Sequence, residues 1–367
     1  MIYLDYNAIT CGFQDIIKET THLMLNHKFL NPSSIHSSGK FAKSILNDAI
    51  TRICKSINAK CHDLYFVSGA TEGNNMVLNS SEFDLIFTLN TEHDSILSPL
   101  KNKKYEFVKT CKDGVIDLND LRSKLKLYNT SNFLCSVMSV NNESGLKQDI
   151  NAIYEIVKEF GGVLHSDVSQ MIGKESLNFN SFNADVITFS GNKIHSGFGG
   201  GCVIFTSGFD VKPLIVGGGQ QKYKRGGTEN IPQIFALSKA VELVNSPNYL
   251  KEYREKTLSF QNKIEDMVMQ NGGDVFCINQ KRVSNTSLIK MPNINNFVQM
   301  MEFDLNDISI SIGSACSSGK TDISNVLKGV EMNEDDAKKY IRISTGIFNT
   351  DEEIEKFCEV WKSLLSR

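Results

Sequence analysis

Three residues, at three places in the chain, have side chains that could do one piece of chemistry together. Asp167 ends the run His165-Ser166-Asp167. Lys193 follows the apolar run Val186-Ile187-Thr188-Phe189 by way of Ser190-Gly191-Asn192. Cys316 lies far downstream in Gly313-Ser314-Ala315-Cys316-Ser317-Ser318-Gly319. A lysine just past one strand end, with an aspartate at the end of a neighbouring strand, suits pyridoxal 5'-phosphate (PLP). The amine can form a Schiff base with the cofactor aldehyde, and the carboxylate keeps the pyridinium nitrogen protonated so that the ring accepts electrons. Most lysines are simply solvated. This one is held near a crowded backbone by the strand before it and by Gly197, Gly199, Gly200 and Gly201 after it. Desolvation and a neighbouring cationic centre would there make the amine nucleophilic. Cys316 sits among small and hydroxyl residues, outside any apolar run, where a thiol is placed to react. Cys135 and Cys202, by contrast, lie in apolar runs typical of buried structural cysteines.

Other groups each admit two readings. Ser68-Gly69-Ala70-Thr71-Glu72 links a strand to a helix. It is either an ordinary cap with Thr71 as capping residue, or a phosphate cradle of backbone amides, helix dipole and the Thr71 hydroxyl. His93 is a loop histidine, or a ring stacked on the cofactor that also moves protons. Asn142 is a turn residue, or a donor to the cofactor's phenolic oxygen or the substrate carboxylate. Gln170, three residues past Asp167, is near it if the strand turns into a helix, and could donate to the same oxygen. Gly217-Gly218-Gly219-Gln220 leads to Arg225-Gly226-Gly227-Thr228, a flexible surface loop or a phosphate contact from a partner subunit. Arg342, in Tyr340-Ile341-Arg342-Ile343-Ser344, makes a surface salt bridge or a bidentate grip on a substrate α-carboxylate.

The elements that must position these groups follow from periodicity. Short apolar runs at Leu64-Tyr65-Phe66-Val67, residues 85–89, residues 133–140, residues 162–165 and residues 186–189 read as buried strands. Helical spacing separates them, as at Ile153, Ile156, Val157 and Phe160. The alternation implies a mostly parallel sheet with helices on its faces, and ligands bind beyond the carboxyl ends of such strands. After about residue 245 the texture changes. A long charged helix over 248–272 precedes strands over 274–278 and 286–291, a helix over 295–303 and a final helix over 351–365. This reads as a smaller α+β module onto which Ile2-Tyr3-Leu4 packs.

A chain of 367 residues accommodates one large domain and one small one. The expected division is 13–247 for a large PLP-binding domain, with 1–12 and 248–367 forming a small domain that carries the Cys316 loop. A formal net charge of −3 recommends no nucleic-acid partner. No apolar stretch reaches membrane length, and residues 1–6 lack the features of a secretory signal, so a cytoplasmic address is expected. The 9 cysteines include no CxxC pair, which fits reduced thiols rather than a disulfide framework or a zinc site.

The order of the motifs is more specific than any one of them. Tyr3-Leu4-Asp5-Tyr6-Asn7-Ala8, Asn31-Pro32-Ser33-Ser34-Ile35-His36, residues 68–75, Glu92-His93, Asn141-Asn142-Glu143, His165-Ser166-Asp167, Ser190 to Lys193, Arg225 to Thr228, residues 313–319 and Arg342-Ile343-Ser344 succeed one another over nearly the whole chain. The succession resembles the cysteine desulfurases, PLP enzymes of the class V aminotransferase family. The cysteine loop resembles the group that serves iron–sulfur cluster assembly. The resemblance implies fold type I, an α/β architecture with a seven-stranded, mostly parallel sheet plus a smaller α+β domain, in a homodimer. It implies that Lys193 carries the cofactor and acts as base and acid at the substrate α-carbon. Asp167 pairs with the pyridinium, His93 stacks on the ring, and Gln170 and Asn142 contact the phenolic oxygen. Ala70, Thr71, Ser190, Asn192 and Thr228 of the other subunit hold the phosphate. Arg342 binds the carboxylate of L-cysteine, and Cys316 takes the sulfur as a persulfide, leaving L-alanine. The persulfide then serves a sulfur acceptor or iron–sulfur scaffold protein, or tRNA thiolation. No resident metal is implied, although Cys316 is a candidate transient iron–sulfur ligand. The chain departs from the family's pattern at Asn192 (usually His), at Ser196-Gly197-Phe198-Gly199 (usually Gly-Pro-Lys-Gly), at Ile9-Thr10-Cys11 (usually Thr-Thr-Pro) and at Arg225-Gly226-Gly227-Thr228 (usually Arg-Ser-Gly-Thr). The same PLP site with a different substrate would make a selenocysteine lyase or another PLP-dependent amino-acid lyase, and Asn192 with the altered glycine loop keeps open a degenerate paralogue without activity.

Overall fold

In the computed structural model seven strands share one sheet. The structure describes residues 1–59, 64–80, 83–206, 211–312 and 323–366. Cys316 and its loop therefore lie outside the described residues. In chain order the strands are β1 (Ile2–Tyr3), β2 (Leu64–Val67), β3 (Leu85–Thr88), β4 (Tyr105–Phe107), β5 (Phe133–Ser136), β6 (Val163–Asp167), β7 (Val186–Ser190), β8 (Gly201–Phe205), β9 (Asp274–Val275), β10 (Thr286–Lys290), β11 (Ile308–Ser309) and β12 (Tyr340–Ser344). The large sheet has the order β2-β8-β7-β6-β5-β3-β4. Only β8 runs against the rest, pairing antiparallel with both β2 and β7. The carboxyl ends of β2, β3, β5, β6 and β7 consequently open on one side. This is why Gly69, His93, Asn142, Gln170 and Lys193, scattered in sequence, become neighbours.

Burial explains the strand composition. β2, β3, β5, β7 and β8 are buried at every position, as expected of strands covered by helices on both faces. One side of the sheet packs on Ile53, Ile153, Val157, Leu237 and Val241. The other packs on Met76, Val77, Ile96 and Leu100.

A second core gathers Leu4, Phe260, Phe303, Phe357 and Trp361. There β10 lies between β9 and β12, antiparallel to both. The helices Pro247–Gln270, Asn296–Leu305 and Asp351–Leu365 contribute to it. β1 pairs in parallel with β11, so the start of the chain joins this unit. Phe303 and Phe357 stack with ring centroids 4.8 Å apart.

Three local expectations are corrected. The strand expected over 133–140 ends at Ser136, although the Val137 and Ser139 amides still donate to the His165 and Asp167 carbonyls of β6. The strand over 274–278 stops at Val275, because Cys277 takes a left-handed φ of 51° that no strand sustains. Past Asp167, where a helix is the condition for placing Gln170 near it, the chain instead makes turns over 169–171 and a bridge between Ile172 and Glu175, and Gly173 has φ 78°. Among the described residues no helix is long and apolar enough to cross a membrane.

Gly162, just before β6, illustrates how tightly the large core is closed. A Cβ there would meet the ring carbons of Phe133, which is fully buried. Gly162→Ala is expected to lower the urea unfolding midpoint, read by circular dichroism, by the equivalent of about 1–3 kcal/mol. A wild-type midpoint would show that the ring can turn aside without cost.

Candidate functional site

A cavity of about 520 Å³ opens at the strand ends. Among its lining are Ala70, Thr71, His93, Asn142, Asp167, Gln170, Ser190, Asn192, Lys193 and Arg342. The structure thus brings together ten of the residues expected from sequence. Thr228 is exposed and does not line the cavity of its own chain.

At one end the helix Ala70–Ser80 begins directly after the Ser68-Gly69 turn. Thr71 is its second residue, not its cap, so the capping reading is corrected. The space is real: a Cβ on Gly69 would meet only Ser190 Oγ, at 3.8 Å. Ser190 caps the short turn that carries Lys193, accepting from the Asn192 amide at 3.3 Å. Glu72 ties the helix start down. It accepts from the Ser68 amide at 2.8 Å and from Arg225 Nε at 2.9 Å. Burial pushes the Glu72 carboxyl up, but these bonds hold it below the usual carboxylate range.

On the cavity floor Asp167 Oδ1 accepts from the Ser169 amide at 2.9 Å, and Oδ2 from Asn74 Nδ2 at 2.7 Å. Asn74 also donates to Ser95 Oγ at 2.8 Å and accepts from Thr188 Oγ1 at 2.5 Å. Ser95 Oγ lies 2.9 Å from His93 Nδ1, and the Ser95 amide donates to the same nitrogen at 3.1 Å. Nδ1 is therefore the acceptor, and a neutral His93 carries its proton on Nε2. A hydrogen-bonded chain so links the Asp167 carboxylate to the His93 ring. Asn74 was not singled out from sequence, but lying one turn past Ala70 it had to share that residue's helix face. Lys193 Nζ donates to the Ala8 carbonyl.

Arg342 is not a surface residue. It is 2% exposed, with one NH group donating to Asp5 Oδ1 at 2.5 Å and the other to the Asn142 carbonyl at 3.2 Å. Its Nε is buried without a hydrogen-bond partner. Such an orphan donor fits a carboxylate ligand. Gln170 Nε2 donates to the Asn7 carbonyl at 3.0 Å, which leaves it a second N–H. Glu92 and Glu143 also line the cavity, each buried with one oxygen unpartnered. Burial raises both carboxyls above their ordinary value, against the bond from the Met138 amide at Glu92 and against the Ser324 side chain and the Arg342 charge at Glu143. Lys174 lies just behind the cavity and shares a small hollow with Lys193. Nothing in its Gly173-Lys174-Glu175 context marked it. Among the described residues no group of three or more His, Cys, Asp or Glu is placed to hold a metal ion.

The donor set fits PLP. Open space at a helix start beside a serine hydroxyl suits a phosphate. An oriented carboxylate suits a pyridinium, and an amine lies between them on the cavity wall.

The comparisons agree with this fit. The family model described as aminotransferase class-V matches residues 2–357. A cysteine desulfurase IscS of Dictyoglomus turgidum is 29% identical over all of this chain and 95% of its own. A cysteine desulfurase IscS 1 of Archaeoglobus fulgidus is 30% identical over all of this chain and 97% of its own. The crystal structure of a NifS-like protein from Rickettsia africae, 33% identical, superposes with a TM-score of 0.93 over the whole of both chains.

Two buried histidines back the site. His165 lies between Ser136 Oγ at 2.9 Å and Thr188 Oγ1 at 3.1 Å, and burial holds it neutral. His195 has Nδ1 2.6 Å from the Cys11 carbonyl. Burial, resisted by that bond and aided by Lys174, pushes its pKa from 6.5 down to about 4. The unfolded chain takes up these protons first, so the stability from keeping the rings neutral is present above pH 6.5 and is lost as pH falls towards 4. His195→Asn tolerates the left-handed φ of 62°. It is expected to flatten the decline in urea-measured stability over this window by up to about 1.4 kcal/mol per pH unit; an unchanged slope would contradict the assignment.

Proposed function

The chain belongs to the class V aminotransferases and, within them, to the cysteine desulfurases, and on that premise we propose that its cavity takes L-cysteine and passes the sulfur to Cys316. The enzyme is PLP-dependent, and when bound the cofactor supplies the electron sink that makes the carbon–sulfur bond of the substrate breakable. The observation that carries the reading is the convergence of Lys193, Asp167 and Arg342 on one cavity that also holds an open helix start.

The geometry of the cavity supports the following roles. Ala70, Thr71, Ser190 and Asn192 would hold the cofactor phosphate, Asn192 with an exposed amide in place of a cation. Asp167, fixed by Ser169 and Asn74, would hold the proton at the pyridine nitrogen. His93 would lie against the ring, and Gln170 and Asn142 would donate to the phenolic oxygen. Arg342 would grip the substrate carboxylate through its unpartnered Nε side. Lys193 Nζ would carry the proton to and from the substrate α-carbon. The Cys316 thiolate attacks the substrate sulfur: one S–S bond forms, one C–S bond breaks, and the sulfur lost by cysteine appears in the Cys316 persulfide while alanine leaves. No external oxidant or reductant is needed for this half. A thiol must then reduce the persulfide, or an acceptor for iron–sulfur cluster assembly or tRNA thiolation must take its sulfur.

Further parts belong to the same proposal. Thr228, exposed and outside its own cavity, would complete the partner's phosphate site in a homodimer. The two apolar cores support a division into 13–247 and 1–12 with 248–367. A cytoplasmic address suits the reduced thiols this chemistry requires.

The test is sulfide and alanine release from L-cysteine with dithiothreitol. Equimolar products are expected from the wild type. Cys316→Ala should lose at least about a hundredfold in rate while keeping the cofactor's visible absorption band, and Lys193→Ala should lose the band itself. Release from Cys316→Ala at the wild-type rate would overturn the persulfide role. Selenide from L-selenocysteine with no sulfide from L-cysteine would move the assignment to a selenocysteine lyase.

A further inference from the structure

Lys174 is a buried lysine whose bonds go to amide oxygens. It is 5% exposed, and Nζ donates to Asn7 Oδ1 at 2.6 Å and to Gln170 Oε1 at 2.5 Å. Burial, with the charges of Lys193 and Arg342, lowers its pKa well below the usual lysine value. A neutral amine still has two N–H bonds, as many as the two oxygens need.

What these bonds accomplish is directional. The two ends of a glutamine amide have nearly the same shape, and only their hydrogen-bond partners decide which way the group points. Nζ donates to Gln170 Oε1 whether it carries two hydrogens or three, so the oxygen end of the amide faces it. The nitrogen must then face the Asn7 carbonyl, which accepts at 3.0 Å, and Nε2 keeps its second N–H. Gln170 lines the cavity. With the amide reversed, an oxygen would face the Asn7 carbonyl, a mismatched contact in a buried place, and Nζ would lose one of its two acceptors.

We propose that Lys174 is a positioning residue: it fixes the direction of the Gln170 amide and so ensures that Gln170 presents N–H, not C=O, to the ring oxygen of PLP. The proposal rests on the PLP site assigned above. A donor at that oxygen stabilises its negative charge and thereby weakens the hold on the proton at Lys193 Nζ in the PLP-loaded protein. Loss of the donor raises the pH at which this proton leaves.

The experiment uses the PLP-loaded protein and follows the pH midpoint of its visible absorption band. Glu92, His93, Asp94, Glu143, Asp167, Lys193 and Arg342 face the same cavity and are kept in every variant. Gln170→Leu is expected to raise the midpoint by about one unit, a tenfold change in proton affinity. Lys174→Met, which keeps length but removes the donor, is expected to raise it by a similar amount. The double variant should shift no further than Gln170→Leu alone. A Lys174→Met protein that melts lower without cofactor yet keeps the wild-type midpoint would reduce Lys174 to a packing role and overturn the proposal, as would additive shifts in the double variant. No shift in Gln170→Leu would remove Gln170 from the ring oxygen and overturn both assignments. A shift there but none in Lys174→Met would overturn the role of Lys174 alone. Should Lys174→Met not fold, the same criteria apply to Lys174→Gln, which is too short to reach both oxygens.

Discussion

The cavity depends on one buried asparagine. Asn7 is 2% exposed and uses every polar atom it has. Its amide donates to Ser344 Oγ at 3.0 Å, and its carbonyl accepts from Gln170. Oδ1 accepts from Lys174 and from Asn285 Nδ2 at 3.1 Å. Nδ2 donates to the Asn142 carbonyl at 3.0 Å and to Thr286 Oγ1 at 2.9 Å. The next residue, Ala8, accepts from Lys193. A buried polar group left without a partner costs about 1–3 kcal/mol, so a slip of this segment would forfeit several bonds at once. The network therefore allows one placement of the strand ends of the large sheet against β10 and β12. Arg342 inherits its position from it, because Asn142 and Asp5, its two acceptors, belong to the same assembly.

The large sheet supplies the other half of the geometry. Its parallel strands bring five loops to one side, and the reversal of β8 closes that side beside Lys193. The reversal needs Gly201. A Cβ there would lie 2.7 Å from the Phe189 carbonyl and 2.8 Å from the Gly69 backbone. Without a side chain the start of β8 can lie against the Ser68-Gly69 turn, and the helix start at Ala70 comes to face Ser190. A glycine in a strand interior weakens pairing; here it is the condition for the anion-binding end of the cavity.

Much of this was legible in the sequence, for identifiable reasons. Buried parallel strands are short apolar runs, so their existence and order could be read, and the polar residues directly after them had to converge. Asp167, Lys193 and Ser190 were found that way. Boundaries were less legible, since Cys277 in a left-handed conformation looks like any strand residue. Lys174, Asn74 and Asn7 were not assigned roles because their work is long-range. Asn7 meets Thr286 and Ser344 across most of the chain, and no local pattern records such a pairing. The burial of Arg342 was equally invisible: an arginine in an apolar strand reads as an edge residue until its partner, Asp5, is seen to come from the other end of the chain.

Charge selection at the cavity follows from burial more than from residue counts. Four carboxylic acids line it: Glu92, Asp94, Asp167 and Glu143. Were all ionised they would oppose Lys193 and Arg342 and repel a phosphate or a carboxylate. Glu92 and Glu143 are fully enclosed, and an unpaired buried carboxylate is far costlier than a neutral carboxyl. Burial raises the pKa of both, whereas Asp167 is fixed under Ser169 and Asn74, and Asp94 accepts from Asn325 Nδ2 at 3.2 Å. Of the four, Asp167 is the one held in place where a pyridinium would meet it. An ionised Glu92 or Glu143 would do more than destabilise the fold. It would place a second negative charge beside the Asp167–Asn74–Ser95–His93 chain and weaken the attraction on which recognition of an amino acid's carboxylate by Arg342 relies.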